Sequence, residues 1–193
     1  MRIVGGKHAG RHLTPPPERV VRPTAEHVRD ALLTYLQPRL KDARVLDLFA
    51  GTGALGLEAI SRGARRADFV ENRPGSIHAL KANVAALHLR EKTRIFKKDA
   101  LPFAEGLEPY AYDLAFCDPP YESRMLDRLI EIWLRTPFAG LLVCEHAATH
   151  DLPPGGATRQ MDDSTAVTIY KAPDKPVEVE TEADPEADGE PHP

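Results

Sequence analysis

The sequence predicts an α/β fold built around a seven-stranded, mostly parallel sheet. Between residues 44 and 145, short apolar runs alternate with amphipathic helical stripes. Helix-length connections between successive strands require parallel pairing with right-handed crossovers. The last two apolar runs, residues 157–161 and 166–171, are joined by a short connection that contains Asp162-Asp163-Ser164, which predicts an antiparallel hairpin at the end of the sheet.

The first 22 residues predict a small basic extension rather than a domain. Gly5, Gly6 and Gly10 indicate a glycine-containing β-hairpin, and residues 15–17 are three prolines that favour an extended stretch. We expect five bases of this extension to face an anionic partner: Arg2, Lys7, Arg11, Arg19 and Arg22.

A helix is expected to follow, with Thr24 as its N-cap and Pro38 at its end. Its apolar residues recur at the spacing of one buried helix face. The residues predicted to form that face are Val28, Ala31, Leu32, Tyr35 and Leu36.

The central alternation then divides into strands and helices in chain order. Strands are predicted over residues 44–49, 68–71, 93–96, 113–117 and 141–145. Helices are predicted over residues 54–62, from Pro74 onward and around residues 126–134, with residues 97–112 irregular. The buried stripes of the last two helices are Ile77, Leu80, Val84 and Leu87, and then Leu126, Leu129, Ile130, Trp133 and Leu134.

Charged residues are unevenly distributed along the chain. Residues 173–193 carry eight acids and one lysine, so the formal net charge of −4 conceals 24 bases against 21 acids in the remaining 172 residues. The acidic, apolar-poor end predicts a disordered tail. We therefore expect a basic extension at residues 1–22, an α/β domain at 23–172 and a tail at 173–193.

The sequence also indicates the cellular compartment in which the protein is expected to work. No apolar run approaches the roughly 20 residues of a membrane span, and the N-terminus lacks the apolar core of a signal peptide. Cys117 and Cys144, the two cysteines, both fall inside predicted strands and indicate a reduced core pair. We therefore expect a cytoplasmic protein.

A glycine-rich segment at residues 47–56 follows the first strand. Its glycines allow a sharp turn, and the helix that follows directs backbone N–H groups at a ligand. Gly51, Gly53 and Gly56 also match the dinucleotide pattern G-x-G-x-x-G, and Glu71 lies 20 residues past Gly51. An NAD-dependent dehydrogenase is therefore a real alternative.

Acidic residues at three successive strand ends favour a different ligand. Asp47 lies inside the first strand, where a dinucleotide-binding strand is usually apolar, and its carboxylate can bind the ammonium of a methionine moiety. Glu71 is placed to accept both ribose hydroxyls, and Asp99 could accept from an adenine amine. Each acid alone is commonly a surface carboxylate, but three beside one glycine turn indicate a site.

Residues 118–121, Asp-Pro-Pro-Tyr, end the fourth central strand. Two prolines cannot continue a strand's hydrogen-bond ladder, so an acid and an aromatic ring are left at the carboxyl end, where ligands bind in open parallel sheets. Asp118 and the Pro119 carbonyl can accept hydrogen bonds from a planar amine, and Tyr121 can stack on a flat ring. Taken alone, these residues also fit a simple strand-ending turn.

Together these motifs resemble class I S-adenosylmethionine-dependent methyltransferases that act on amines. More closely, residues 1–171 resemble the bacterial 16S ribosomal RNA guanine-N2 methyltransferases of the RsmD type. The N-terminal residues 1–11, the Arg22-Pro23-Thr24 segment and residues 47–59 carry that closer likeness. The resemblance implies S-adenosylmethionine as cofactor, bound by Thr24, Asp47, Phe49, Gly51, Gly53, Glu71, Asn72, Asp99, Ala100 and Asp118. It implies a catalytic group of Asp118, Pro119, Pro120 and Tyr121.

The activity that the resemblance implies is methyl transfer to the N2 amine of a guanine in 16S ribosomal RNA, within a small-subunit particle. The protein is expected to act as a monomer, without a metal. Cys117 raises the alternative of a cysteine nucleophile, but its place on an apolar strand favours core packing. Two further alternatives are a DNA adenine-N6 methyltransferase and a non-catalytic RNA-binding assembly factor on the same scaffold.

Overall fold

The computed structural model describes residues 1–16, 25–120 and 124–175. Its centre is a seven-stranded sheet in the order β3-β2-β1-β4-β5-β7-β6. Strands β1 to β5 pair in parallel, and β7 runs antiparallel to both β5 and β6. The predicted fold class is confirmed.

The strands alternate with helices as the sequence pattern predicts. The strands are β1 (Arg44–Asp47), β2 (Arg66–Val70), β3 (Thr93–Phe96), β4 (Tyr112–Cys117), β5 (Ala139–Ala147), β6 (Ala157–Gln160) and β7 (Thr165–Lys171). The helices are α1 (Glu26–Tyr35), α2 (Gln37–Leu40), α3 (Ala54–Ser61), α4 (Pro74–Ala86), α5 (Ala100–Glu105) and α6 (Met125–Arg135). The final hairpin places β7 between β5 and β6, an order that differs from the 3-2-1-4-5-6 sheet of dinucleotide-binding folds.

Two apolar layers cover the two faces of the sheet. One layer joins the face bearing Val45 and Phe116 to apolar residues of α1, α3 and α4. The other joins the face bearing Leu46 and Cys117 to α5 and α6. Because β1 and β4 are neighbouring parallel strands in the middle of the sheet, their carboxyl ends lie side by side at the centre of one edge.

Of the five residues predicted to form the buried face of the first helix, the structure buries three: Val28, Leu32 and Leu36. Tyr35 is 65% exposed, and the residues buried on α1 include Arg29 and Leu33. Arg29 Nε donates to Glu58 Oε2 of α3 at 2.7 Å, and both side chains are fully buried. This ion pair turns the helix toward α3, which apolar periodicity alone could not indicate.

Three smaller expectations also need correction. Pro38 does not end the first helix: α1 stops at Tyr35, and Pro38 lies in the first turn of α2, where its missing N–H costs nothing. The segment expected to be irregular contains α5. Leu134 of α6 is 48% exposed, and Ile132 is buried in the same helix.

Residues 1–16, called here the N-terminal segment, pack against the main core. One antiparallel bridge joins Arg2 to His12 around a 3₁₀ turn at Gly6–His8, so the predicted hairpin is minimal. Ile3 and Leu13 are buried in the layer that contains α1, α3 and α4. The domain boundaries at residues 22 and 172 stay predictions, since residues 17–24 and 176–193 lie outside the described ranges. Across the described ranges, the helices are too short or too polar to cross a membrane.

Candidate cofactor and target-amine site

Four acidic residues lie at or just after the carboxyl ends of four neighbouring strands, at one edge of the sheet. In the spatial order β3-β2-β1-β4, these acids are Asp99, Glu71, Asp47 and Asp118. Asp47 pairs in register with Phe69 and Phe116, so Glu71 and Asp118 each lie two residues beyond its partners on the flanking strands. The acids that the sequence placed at strand ends therefore line one continuous edge.

A tight turn at residues 50–53, called here the glycine turn, crosses this edge between β1 and α3. Gly51 and Gly53 have φ of +53° and +80°, a left-handed conformation that side chains disfavour. A Cβ at Gly53 would lie 2.3 Å from Leu80 Cδ1, so this glycine is needed for packing as well. A Cβ at Gly51 would meet only the Phe49 oxygen, at 4.0 Å, which leaves open space above the turn.

Asp47 is a buried carboxyl at the centre of the edge. The backbone N–H of Gly56 donates to Asp47 Oδ2 at 3.2 Å. Burial, with a smaller contribution from the charge of Glu71, raises the pKa of Asp47 to about 7, although the Gly56 hydrogen bond acts to lower it. A cationic partner would stabilise the ionised form of this buried carboxyl, and the ammonium of a methionine moiety is such a partner.

Glu71 is almost fully buried, and its two oxygens organise the backbone around it. Glu71 Oε2 accepts the N–H of Gly51 at 2.8 Å, and Oε1 accepts the N–H groups of Asn72 and Arg73 at 3.0 and 2.9 Å. The Arg73 side chain approaches the same carboxylate at 3.2 Å. Glu71 thus holds the glycine turn against β2, and a ribose would join an existing set of donors.

Asp99 lies on an exposed part of the edge, at the start of α5. Asn72 Nδ2 donates to Asp99 Oδ1, which joins the residues that follow β2 and β3. A shallow cleft of about 470 Å³ opens beside Asp99, with Phe103 in its wall. Ala100 is buried as the first residue of the helix. The cleft has an acid acceptor and an aromatic wall, which suits a planar base.

The Asp-Pro-Pro turn leaves β4 beside the glycine turn. Asp118 is half-buried, Pro119 is buried and Pro120 is exposed, so the acid can reach a ligand above the edge. Phe49, half-buried, packs against the layer that contains α5 and α6. Tyr121 and Thr24, which the sequence assigned to stacking and to cofactor binding, lie outside the described residues.

Cys117 is a core residue. It is fully buried and lies in register with Cys144 on β5, and both cysteines are free thiols. Burial raises the pKa of Cys117, and the neighbouring Cys144 thiol and the Asp118 charge raise it further. Because the thiolate is the nucleophilic form, this environment disfavours the covalent alternative.

The basic residues of the N-terminal segment differ in their surroundings. We expected all five to face an anionic partner, but two of them have partners within the protein: Arg2 pairs with Glu26 at 3.1 Å and Arg11 donates to the Ala86 carbonyl at 2.8 Å. Lys7 is exposed in the 3₁₀ turn. Arg19 and Arg22 lie outside the described residues.

An exposed cluster of positive groups surrounds His8 of this segment. Burial lowers the pKa of His8, and the nearby charges of Lys7, Arg11, Lys92 and His88 lower it further. His88 lies just after α4 and Lys92 lies in the turn before β3, so the cluster joins distant parts of the sequence. Sequence reasoning identified only its N-terminal half, because folding alone brings the other half near.

Two contacting residues were missed by the sequence analysis. Arg73 approaches Glu71, as described above, and Asn83 of α4 donates to the Thr52 carbonyl in the glycine turn at 3.0 Å. An asparagine inside an amphipathic helix gives no pattern signal of its own. Within the described ranges, His, Cys, Asp and Glu side chains form no group of three or more that could hold a metal ion.

Comparisons with known proteins extend over nearly the whole chain. The family model described as "Conserved hypothetical protein 95" matches residues 1–170. Ribosomal RNA small subunit methyltransferase D of Escherichia coli K12 is 32% identical over 192 residues, which cover 95% of this chain and 94% of that protein. The Haemophilus influenzae protein of the same name is 28% identical over 179 residues, 89% of this chain and 92% of its own. A solved hypothetical protein of Thermus thermophilus has a TM-score of 0.77 at 34% identity, covering 89% of this chain and 99% of its own.

Proposed function

This chain belongs to the family described as Conserved hypothetical protein 95, and from that premise we propose that it transfers a methyl group from S-adenosylmethionine to the N2 amine of a guanine in 16S ribosomal RNA. The predicted resemblance to the RsmD-type enzymes is confirmed by relatives named ribosomal RNA small subunit methyltransferase D. The observation that carries the proposal is the row of four acids beside the glycine turn.

The residues at this edge suit the cofactor group by group. Asp47, with its pKa raised to about 7 by burial, would bind the ammonium of the methionine moiety. Glu71 would accept the ribose hydroxyls, and Asp99, beside the cleft, would accept from the adenine amine. Gly51 leaves room for the cofactor to approach the backbone. Phe49, Gly53, Asn72 and Ala100 would shape the same site, and Thr24 stays a predicted contact.

The bound cofactor supplies an electrophilic methyl group on a sulfonium sulfur. The guanine N2 is a poor nucleophile, because its lone pair is conjugated with the ring. Asp118 and the Pro119 carbonyl would accept hydrogen bonds from the two N2 protons and aim the lone pair at the methyl group. The Asp118 carboxylate is also placed to take up the proton that the amine loses. Catalysis would come from orientation and electrostatic placement.

We also propose the setting in which this reaction takes place. Tyr121 would stack on a base turned out of its RNA, and Pro120 would shape the turn that carries it. Arg2, Lys7, Arg11, Arg19 and Arg22 would contact RNA phosphates. The substrate would be a small-subunit particle in the cytoplasm, and the enzyme would act as a monomer.

Two alternative functions have to be distinguished from this one by experiment. A DNA adenine-N6 methyltransferase would use the same Asp118 clamp on another amine, and a non-catalytic assembly factor would bind RNA without transfer. The strand order is evidence against the dehydrogenase alternative, because β7 lies between β5 and β6, whereas dinucleotide-binding sheets have the order 3-2-1-4-5-6.

The proposal is tested by tritium transfer from labelled S-adenosylmethionine to three acceptors: 30S particles, naked 16S RNA and double-stranded DNA. We expect label in the ribosomal acceptors and none in DNA. Label in DNA would favour the adenine alternative, and RNA binding without transfer to any acceptor would favour the assembly factor. Binding of NAD in place of S-adenosylmethionine would support the dehydrogenase alternative.

A further inference from the structure

One buried side chain joins the N-terminal segment to the glycine turn. Asn83 of α4 is 1% exposed. Its Oδ1 accepts the backbone N–H of Thr14 at 2.7 Å, and its Nδ2 donates to the Thr14 carbonyl at 3.1 Å. The same Nδ2 donates to the Thr52 carbonyl at 3.0 Å. Thr14 and Thr52 are therefore held by one amide group.

The amide group is required for this arrangement. A side-chain amide offers two donors and one acceptor oxygen, and Asn83 uses both functions. An aspartate would keep an acceptor for the Thr14 N–H, but it would lose both donated bonds. Thr52 lies between Gly51 and Gly53, so the orientation of its carbonyl is tied to the left-handed backbone on either side.

Simple anchoring of the N-terminal segment does not account for all of these contacts. Ser61 provides such an anchor at the far end of α3, where its hydroxyl accepts the His8 N–H at 2.9 Å and donates to the Gly5 carbonyl at 2.6 Å. Neither of these two bonds reaches the glycine turn. Asn83 holds the segment in a comparable way and also contacts the turn, so the two residues can be compared directly.

We propose that Asn83 is a positioning residue that couples the N-terminal segment to the cofactor turn. RNA bound at Lys7 and Arg11 would stabilise the packed position of the segment, and through Asn83 that of the Thr52 carbonyl, so S-adenosylmethionine binds more tightly. By linkage, the cofactor strengthens RNA binding by the same factor. This inference rests on the proposed function, because the coupling requires RNA on the segment.

The first test compares S-adenosylmethionine affinity, measured by calorimetry with and without saturating 16S RNA, in three full-length proteins. Wild type and the matched control Ser61→Ala should bind the cofactor at least threefold more tightly when RNA is present. Asn83→Asp should bind it about 2- to 13-fold more weakly without RNA, the range for the one net hydrogen bond that is lost at the Thr52 carbonyl in the glycine turn. RNA should not restore the lost affinity of this variant. A purely structural role would lower its affinity but keep the RNA-dependent gain.

A second measurement needs no variant. Adding S-adenosylmethionine to wild-type protein should slow hydrogen exchange at the Thr14 amide, which donates to Asn83, and leave the His8 amide at Ser61 unchanged. Full RNA-dependent tightening in Asn83→Asp, no tightening in wild type, or unchanged Thr14 exchange would overturn the coupling. None of these outcomes bears on whether RNA is methylated, and a failed transfer assay would instead contradict the proposed function.

Discussion

Glu71 Oε2 accepts the backbone N–H of Gly51 at 2.8 Å, although Glu71 follows β2 and Gly51 lies in the turn between β1 and α3. This hydrogen bond makes the end of β2 a support for the glycine turn that follows β1. The carboxylate that is proposed to hold the ribose therefore also shapes the backbone beside it. Substituting Glu71 should disturb both functions together.

Glu71→Ala should weaken S-adenosylmethionine binding by about 1.5–3 kcal/mol, the range for hydrogen bonds to charged groups. Glu71→Gln keeps one acceptor oxygen and should lose less. Calorimetry of both variants measures the difference, and circular dichroism checks that they fold. An unchanged affinity in Glu71→Ala would remove this residue from the cofactor site.

Asp118→Ala should separate chemistry from binding, because its proposed partner is the target amine. The transfer rate should fall about 100-fold or more, the scale of a lost proton acceptor. Cofactor affinity should change by much less, and Asp118→Asn should behave in the same way. Single-turnover kinetics and calorimetry measure the two effects, and equal losses in both would indicate a structural role.

Asp47 should make cofactor binding depend on pH. Burial raises its pKa to about 7, and binding an ammonium requires the ionised carboxylate. Affinity should therefore rise with pH up to about 7, then level off, with about a tenfold loss per unit below that value. Proton release on binding near pH 6.5, measured by calorimetry in buffers of different ionisation enthalpy, should be absent in Asp47→Asn.

The same pKa has a consequence for folding, with the opposite sign. The folded state keeps the Asp47 proton to about pH 7, whereas the unfolded chain loses it near the ordinary value of 3.8. Stability from this group is therefore fully present below about pH 4 and is lost as pH rises through 7. Asp47→Asn should unfold at a higher temperature than wild type at pH 8, with a smaller difference at pH 5. A difference that grew toward low pH would contradict the assignment.

Cys117→Ser should keep substantial transfer activity. Burial and the neighbouring groups raise the pKa of this thiol, so it carries little thiolate at neutral pH. Cys144→Ser is the matched control, since both cysteines are buried in register on neighbouring strands. Loss of transfer in Cys117→Ser alone, with its melting temperature retained, would support the alternative in which Cys117 is a covalent nucleophile.

Neutralising Lys7 and Arg11 should weaken RNA binding and reduce its salt dependence. Each phosphate contact contributes roughly 0.7–0.9 to the slope of log affinity against log salt. The double variant Lys7→Gln/Arg11→Gln should lower that slope by roughly 1–2 and leave cofactor affinity without RNA unchanged. Arg135, an exposed base in the last turn of α6, is the control as Arg135→Gln. An unchanged slope would move the RNA surface elsewhere.

The sequence predicted the framework of the fold because periodicity and strand-ending residues are local signals. The bounds of β3 agree with the structure, and the acids at strand ends fall where parallel pairing requires. The buried face of α1 was predicted only in part, because a buried Arg29–Glu58 ion pair, which apolar spacing does not indicate, also orients that helix. A distant partner of this kind is invisible to a periodicity argument.

Parts of the site were beyond prediction for a similar reason. Asn83 contacts Thr14 and Thr52 through chain segments separated by 69 and 31 residues, and no motif marks it. The positive cluster around His8 likewise needs Lys92, which only folding brings near. Motifs identified the groups that we propose to bind ligands, but not the side chains that hold those groups in place.

The most direct test of the central claim is the identity of the methylated atom. Ribosomal RNA labelled by the wild-type protein would be digested to nucleosides and separated by chromatography with mass detection, with Asp118→Ala as the paired reaction. We expect a single labelled product, N2-methylguanosine, that is strongly reduced in the variant. Label in N6-methyladenosine or a carbon-5-methylated pyrimidine would contradict it, as would equal labelling by the two proteins.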